Sequence, residues 1–125
     1  MRLALDHLHL RSLDPEGAAR WYESVLGARR LPPPDPKAGR VVLDLAGLRL
    51  FLDLVPERTL AAPRPPHLGM EHLGLGVSDL DAALAAARAA GATVANGPLD
   101  IRGVRIAFLD GPDGVVIELL ERAAA

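Results

Sequence analysis

The 125-residue chain has no cysteine and no glutamine, a single asparagine (Asn96) and a single lysine (Lys37). Without cysteine there is no disulfide framework, no thiolate nucleophile and no cysteine-ligated zinc. Aromatic residues are nearly as scarce. Trp21, Tyr22, Phe51 and Phe108 are the whole set, so the core has to be assembled from Leu, Val, Ile and Ala. The 14 basic residues, all but Lys37 being arginine, are interspersed with 16 acids for a formal net charge of −2. That distribution provides no basic face with stacking rings, and no nucleic acid partner is expected. No apolar run reaches the roughly 18 residues of a membrane span, so no membrane partner is expected either. The N-terminal stretch carries Asp6 and His7 where an export signal needs apolar residues; the expected location is the cytoplasm. The shortage of amides and the absence of cysteine suit a thermostable protein, and a GC-rich coding sequence produces the same bias.

What is present is half hydrophobic and 24% charged, the balance of a globular chain with the length of one domain. The chain also repeats itself. Leu5-Asp6-His7-Leu8-His9-Leu10 corresponds to Met70-Glu71-His72-Leu73-Gly74-Leu75, Asp14 to Asp79, and Phe51-Leu52-Asp53-Leu54 to Val116-Ile117-Glu118-Leu119, all at a spacing of 65 residues. Two copies of one module are therefore expected, residues 1–55 and 70–122. They are joined by 56–69, which Pro56, Pro63, Pro65 and Pro66 make stiff and exposed. His67 in that stretch reads as a surface residue.

Each module reads as βαβββ, which puts the chain in the α+β class. Residues 3–11 alternate as a strand, with Leu3, Leu5, His7, His9 and Arg11 on one face. Asp14-Pro15 is a helix start and Gly27 a stop, giving a helix over 15–26. Strands follow near 28–31, 40–46 and 48–55. In module two, 71–77 is a strand, Ser78-Asp79-Leu80-Asp81 a capping box, and the Ala-rich helix ends before Gly91. Strands follow near 92–95, 104–110 and 115–121. Trp21 and Tyr22 are expected to pack in the core.

Four residues stand out for chemistry. His7 and His72 are related by the repeat, and so are Asp53 and Glu118. A lone strand histidine is usually an ordinary surface or core residue, and a lone strand acid is usually solvated or paired with arginine. The repeat links these four. Two imidazoles and two carboxylates are an N/O ligand set for a first-row divalent metal.

These motifs, together with Trp21-Tyr22-Glu23-Ser24-Val25-Leu26-Gly27 and Gly111-Pro112-Asp113-Gly114-Val115-Val116-Ile117-Glu118-Leu119, resemble the vicinal oxygen chelate superfamily: glyoxalase I, methylmalonyl-CoA epimerase, extradiol dioxygenases, and the fosfomycin and bleomycin resistance proteins. The resemblance spans nearly the whole chain. It implies paired βαβββ modules forming a U-shaped sheet around a central cavity, with residues 1–125 acting as a single domain, and a homodimer. It implies a divalent metal (Ni, Co, Zn, Mn or Fe) held by His7, His72 and Glu118. Asp53 falls on the fourth ligand position, where its short side chain binds directly or through water. The resemblance further implies a small-molecule substrate with vicinal oxygens, and a lyase or isomerase of glyoxalase I or epimerase type that stabilises an enediolate, with Glu118 as catalytic base. His9 and Arg11 are expected to face the substrate, Arg11 matching a position that binds the glutathione carboxylate in glyoxalases. His7, His72 and Glu118 alone would equally make the triad of an extradiol-type non-haem Fe(II) dioxygenase. The third alternative is a metal-free small-molecule binder of the drug-resistance kind.

Overall fold

A computed structural model describes residues 1–123. The chain divides into two compact units, Met1–Leu60 and Ala61–Ala125. The boundary falls inside the proline-rich connection.

Unit one carries β1 (Leu8–Ser12), α1 (Pro15–Leu26), β2 (Arg29–Leu31), β3 (Val41–Leu45) and β4 (Leu48–Leu54). Its sheet runs β1-β4-β3-β2, with β1 parallel to β4 and the other pairs antiparallel. Unit two repeats the plan with β5 (His72–Gly76), α2 (Leu80–Ala89), β6 (Thr93–Ile101), β7 (Val104–Asp110) and β8 (Val116–Arg122), in the order β5-β8-β7-β6. The expected α+β class and βαβββ modules are both present.

The helices begin where their caps require. The Asp14 carboxylate accepts from the Gly17 amide, with Pro15 in the first turn, and Asp79 accepts from Ala82. Such a cap satisfies one of the amides that no helix can bond internally. Gly27 closes α1 in the left-handed conformation at φ 71°. Each helix covers one face of its own sheet. Ala18, Ala19 and Tyr22 are buried on α1, with Leu43, Leu50 and Leu52 on the strands; Leu80, Leu84 and Ala87 are buried on α2, with Leu109, Ile117 and Leu119. Full burial of the leucine and isoleucine side chains among them contributes about 1.5–3 kcal/mol each. Because strand side chains alternate, the opposite face carries His9 and Arg11 of β1 and Phe51 and Asp53 of β4 in unit one. In unit two it carries His72 of β5, Phe108 of β7 and Glu118 of β8.

Two elements depart from the sequence expectation. The first strand begins at Leu8 and not at Leu3, since its ladder with β4 starts at Leu8 opposite Leu50. Alternation reports which face a residue takes, not how long its partner strand is. The strand expected at 92–95 extends to Ile101, with register shifts on either side of Asn96. Gly97 lies in the second shift at φ 96°, where a Cβ would meet the Ile106 carbonyl at 2.7 Å. A glycine-marked irregularity of this kind reads locally as the end of a strand.

Candidate functional site

In unit two, β5 and β8 are parallel neighbours with Gly74 opposite Glu118. This brings His72 Nε2 to 2.8 Å from Glu118 Oε2, and both side chains keep partial solvent access. His72 Nδ1 lies 3.3 Å from Glu71 Oε1. An imidazole whose Nδ1–H faces Glu71 presents its Nε2 lone pair to Glu118. Two lone pairs at that separation repel unless a proton or a metal cation lies with them. Donors about 2.0–2.1 Å from a shared ion, at right angles, are about 2.9 Å apart, so this pair fits a small divalent cation. Among the described residues, no arginine or lysine pairs with Glu118. Phe108 stands directly opposite Glu118 across the β7–β8 ladder, and its ring meets His72 edge to face with centroids 5.4 Å apart.

Unit one is arranged differently. Asp53 is opposite Arg11, so when the two carboxylates are superposed in thought, the first strand is displaced by two residues. His9, not His7, then takes the place of His72: its Nε2 is 2.7 Å from Asp53 Oδ2. A slip of two keeps every side chain on its face, which is why the face assignment is unaffected. The Asp53 carboxylate is also gripped by Arg40, Nε donating to Oδ1 at 3.1 Å and Nη2 to Oδ2 at 2.8 Å. The guanidinium beside it holds the Asp53 carboxyl below the usual carboxylate range, with burial opposing and His9 adding a smaller pull in the same direction. A carboxylate held in this two-armed way is already neutralised, and this donor set does not fit a second, divalent cation.

His7 stacks on Phe51 with ring centroids 4.1 Å apart, and its Nδ1 is 2.6 Å from Asp6 Oδ2. That contact holds the Asp6 carboxyl below its ordinary range. The acid–histidine neighbours Asp6-His7 and Glu71-His72 thus recur with the sequence repeat, each carboxylate placed on an Nδ1 atom. Arg11 donates Nη1 to the Leu54 carbonyl at 3.2 Å and, among the described residues, pairs with no carboxylate. It lines a cleft of about 540 Å³ within unit one, together with Asp14, Glu16, Arg40 and Asp53. His9 lies on the Asp53 side of the same sheet face. Among the described residues, no group of three or more metal-ligating side chains is gathered.

Arg40 and Glu71 are the residues that sequence reasoning missed. Arg40 was within reach of it. The tight Ala46-Gly47 turn, with φ 52° and 89°, pairs Leu45 with Leu48 and Val41 with Leu52. One step further sets Arg40 beside Asp53.

The profile of the glyoxalase/bleomycin resistance protein/dioxygenase superfamily matches residues 4–119. A search of curated protein sequences gives no match. Among solved structures, an integron cassette protein from Vibrio cholerae is 24% identical, with 98% of each chain covered and a TM-score of 0.70. A glyoxalase/bleomycin resistance protein/dioxygenase domain from Frankia is 19% identical, covering 100% of this chain and 96% of that one at a TM-score of 0.79. A variant of the fosfomycin resistance protein FosX from Listeria monocytogenes, solved with Mn(II) and dihydroxypropylphosphonic acid, is 15% identical, covering 98% and 95% at 0.79. At these identities the structures speak for the fold, and the profile match over nearly the whole length settles the family: the chain belongs to the glyoxalase/bleomycin resistance protein/dioxygenase superfamily.

Proposed function

We propose that the protein is a divalent-metal-dependent lyase or isomerase acting on a small substrate with two adjacent oxygens, and that His72 and Glu118 are the nucleus of its metal site. The observation that carries this reading is the 2.8 Å approach of His72 Nε2 to Glu118 Oε2, with no arginine or lysine paired to that carboxylate among the described residues. The Mn(II) bound by FosX supports a metal in this fold. Bound there, the ion would supply Lewis-acid polarisation of the substrate oxygens.

The residues have distinct tasks. Glu71 on Nδ1 orients the His72 ring and leaves Nε2 as the donor. Glu118 would be the base that takes the proton from the substrate carbon next to the paired oxygens, with the apolar Phe108 opposite it on the neighbouring strand. Asp6 on Nδ1 makes His7 the module-one histidine best oriented to ligate through Nε2. Arg11, paired with no carboxylate among the described residues, binds an anionic group of the substrate. In this reading residues 1–125 act as one functional domain, with modules 1–55 and 70–122, and the protein is a homodimer.

Isothermal titration with Mn(II), Ni(II), Co(II), Zn(II) and Fe(II), followed by assays on hemithioacetals, acyl-CoAs and catechols, tests the proposal. The expected result is stoichiometric metal and a proton-transfer activity that His72→Ala abolishes. Wild-type metal affinity retained in His72→Ala would overturn it. Oxygen uptake on a catechol would move the assignment to the dioxygenase.

A further inference from the structure

In each unit an imidazole of the first strand meets a carboxylate of the last at nearly the same distance, 2.7 Å for His9 Nε2–Asp53 Oδ2 and 2.8 Å for His72 Nε2–Glu118 Oε2. Among the described residues, a cationic side chain sits on the first of these pairs and none on the second. Arg40, on the residue just before β3, places Nε at 3.1 and 3.2 Å from the two Asp53 oxygens and Nη2 at 2.8 Å from one of them. Its guanidinium also lies 4.4 Å over the Phe51 ring. The ion pair and the ring contact fix Arg40 from two directions, while the corresponding ladder position in unit two is the apolar Phe108.

We infer that Arg40 is the built-in cation of module one: it occupies Asp53 in place of a metal, so that Asp53 is not a ligand and metal is taken by the remaining donors. The inference deepens the metal-dependent reading above and rests on it for the native protein. Its physical basis is charge. A guanidinium across both oxygens satisfies a carboxylate's acceptor positions, and a divalent ion brought to the same oxygens would face that positive charge at close range. Removing Arg40 would leave His9 and Asp53 as an open donor pair like His72 and Glu118.

The test is titration of the full chain with Mn(II) and with Ni(II), in the wild type, Asp53→Asn, Arg40→Met and the double variant. Asp53→Asn is expected to stay within about threefold of wild-type affinity, well short of the 10–100-fold that loss of even an indirect metal partner costs. Arg40→Met is expected to bind about tenfold tighter, or to take up an additional equivalent, and the gain is expected to vanish in the double variant. A loss of about tenfold in Asp53→Asn alone makes Asp53 a ligand and overturns the inference. So does a folded Arg40→Met with unchanged binding. Asp53→Asn alters no side-chain volume to speak of, and it decides the matter if Arg40→Met does not fold. If the wild type takes up no metal, the functional proposal falls. Asp53-dependent uptake by Arg40→Met would still uphold the role of Arg40, and no uptake would overturn that as well.

Discussion

The two units share strand order, helix position and the face on which a carboxylate and an imidazole meet, yet their carboxylates are in opposite states. Asp53 is enclosed by Arg40 and His9. Glu118 has His72 as its partner and a phenyl ring across the ladder. The difference comes from register, not topology. A two-residue displacement of the first strand exchanges His7 for His9 beside the acid, and the hairpin pairing puts Arg40 in one unit where the other has Phe108. A duplicated fold therefore preserves the frame of a site while a single neighbouring side chain decides whether its carboxylate is already paired with a cation.

The sharpest test of the shared frame is in the core. Leu52 and Ile117 occupy repeat-related positions on β4 and β8 and are almost fully buried. Leu52→Ala and Ile117→Ala are each expected to cost about 2–5 kcal/mol in denaturant unfolding. A cost confined to one unit would break the equivalence.

The open and closed sites separate next. His72→Ala is expected to weaken metal binding beyond the roughly 10–100-fold attached to indirect partners, and His9→Ala to leave it within about threefold. Equal losses by titration would mean that Asp53 and His9 are not closed to metal.

The helix starts are expected to respond alike and more weakly. Asp14→Ala and Asp79→Ala each remove a cap, at about 1 kcal/mol apiece by thermal unfolding. The smallest effect is on pH. The Asp53 carboxyl is held below its ordinary range, so the unfolded chain takes up its proton first as pH falls. The Arg40–Asp53 pair thus contributes stability that is full above about pH 5 and is lost as pH drops through and below about 4. Acid unfolding of Asp53→Asn is expected to be shallower there, and an unchanged acid limb would show that the pair contributes nothing.

Much of this was legible in the sequence for physical reasons. The caps are local, and Asp14-Pro15 and Asp79 set helix starts that the structure keeps. Strand period is local too, so the face shared by Asp53 and Phe51, with Leu50 and Leu52 turned to the core, follows from alternation. The repeat carried the βαβββ plan, and the motifs carried the family, which the profile match over residues 4–119 shows. The repeat that sets His7 level with His72 and Asp53 level with Glu118 does not say which histidine meets Asp53, because spacing along the chain is blind to a slip of two in a parallel ladder.

The amino-acid sequence by itself determined the class of the fold, the faces of its strands and the kinds of donor atoms on them, since each depends on neighbours within a few residues or on the internal repeat. Tertiary structure decided which histidine meets which carboxylate. Those outcomes depend on ladder register between strands more than 40 residues apart in the chain. There, a shift of one pair of residues leaves every local preference satisfied and changes every contact.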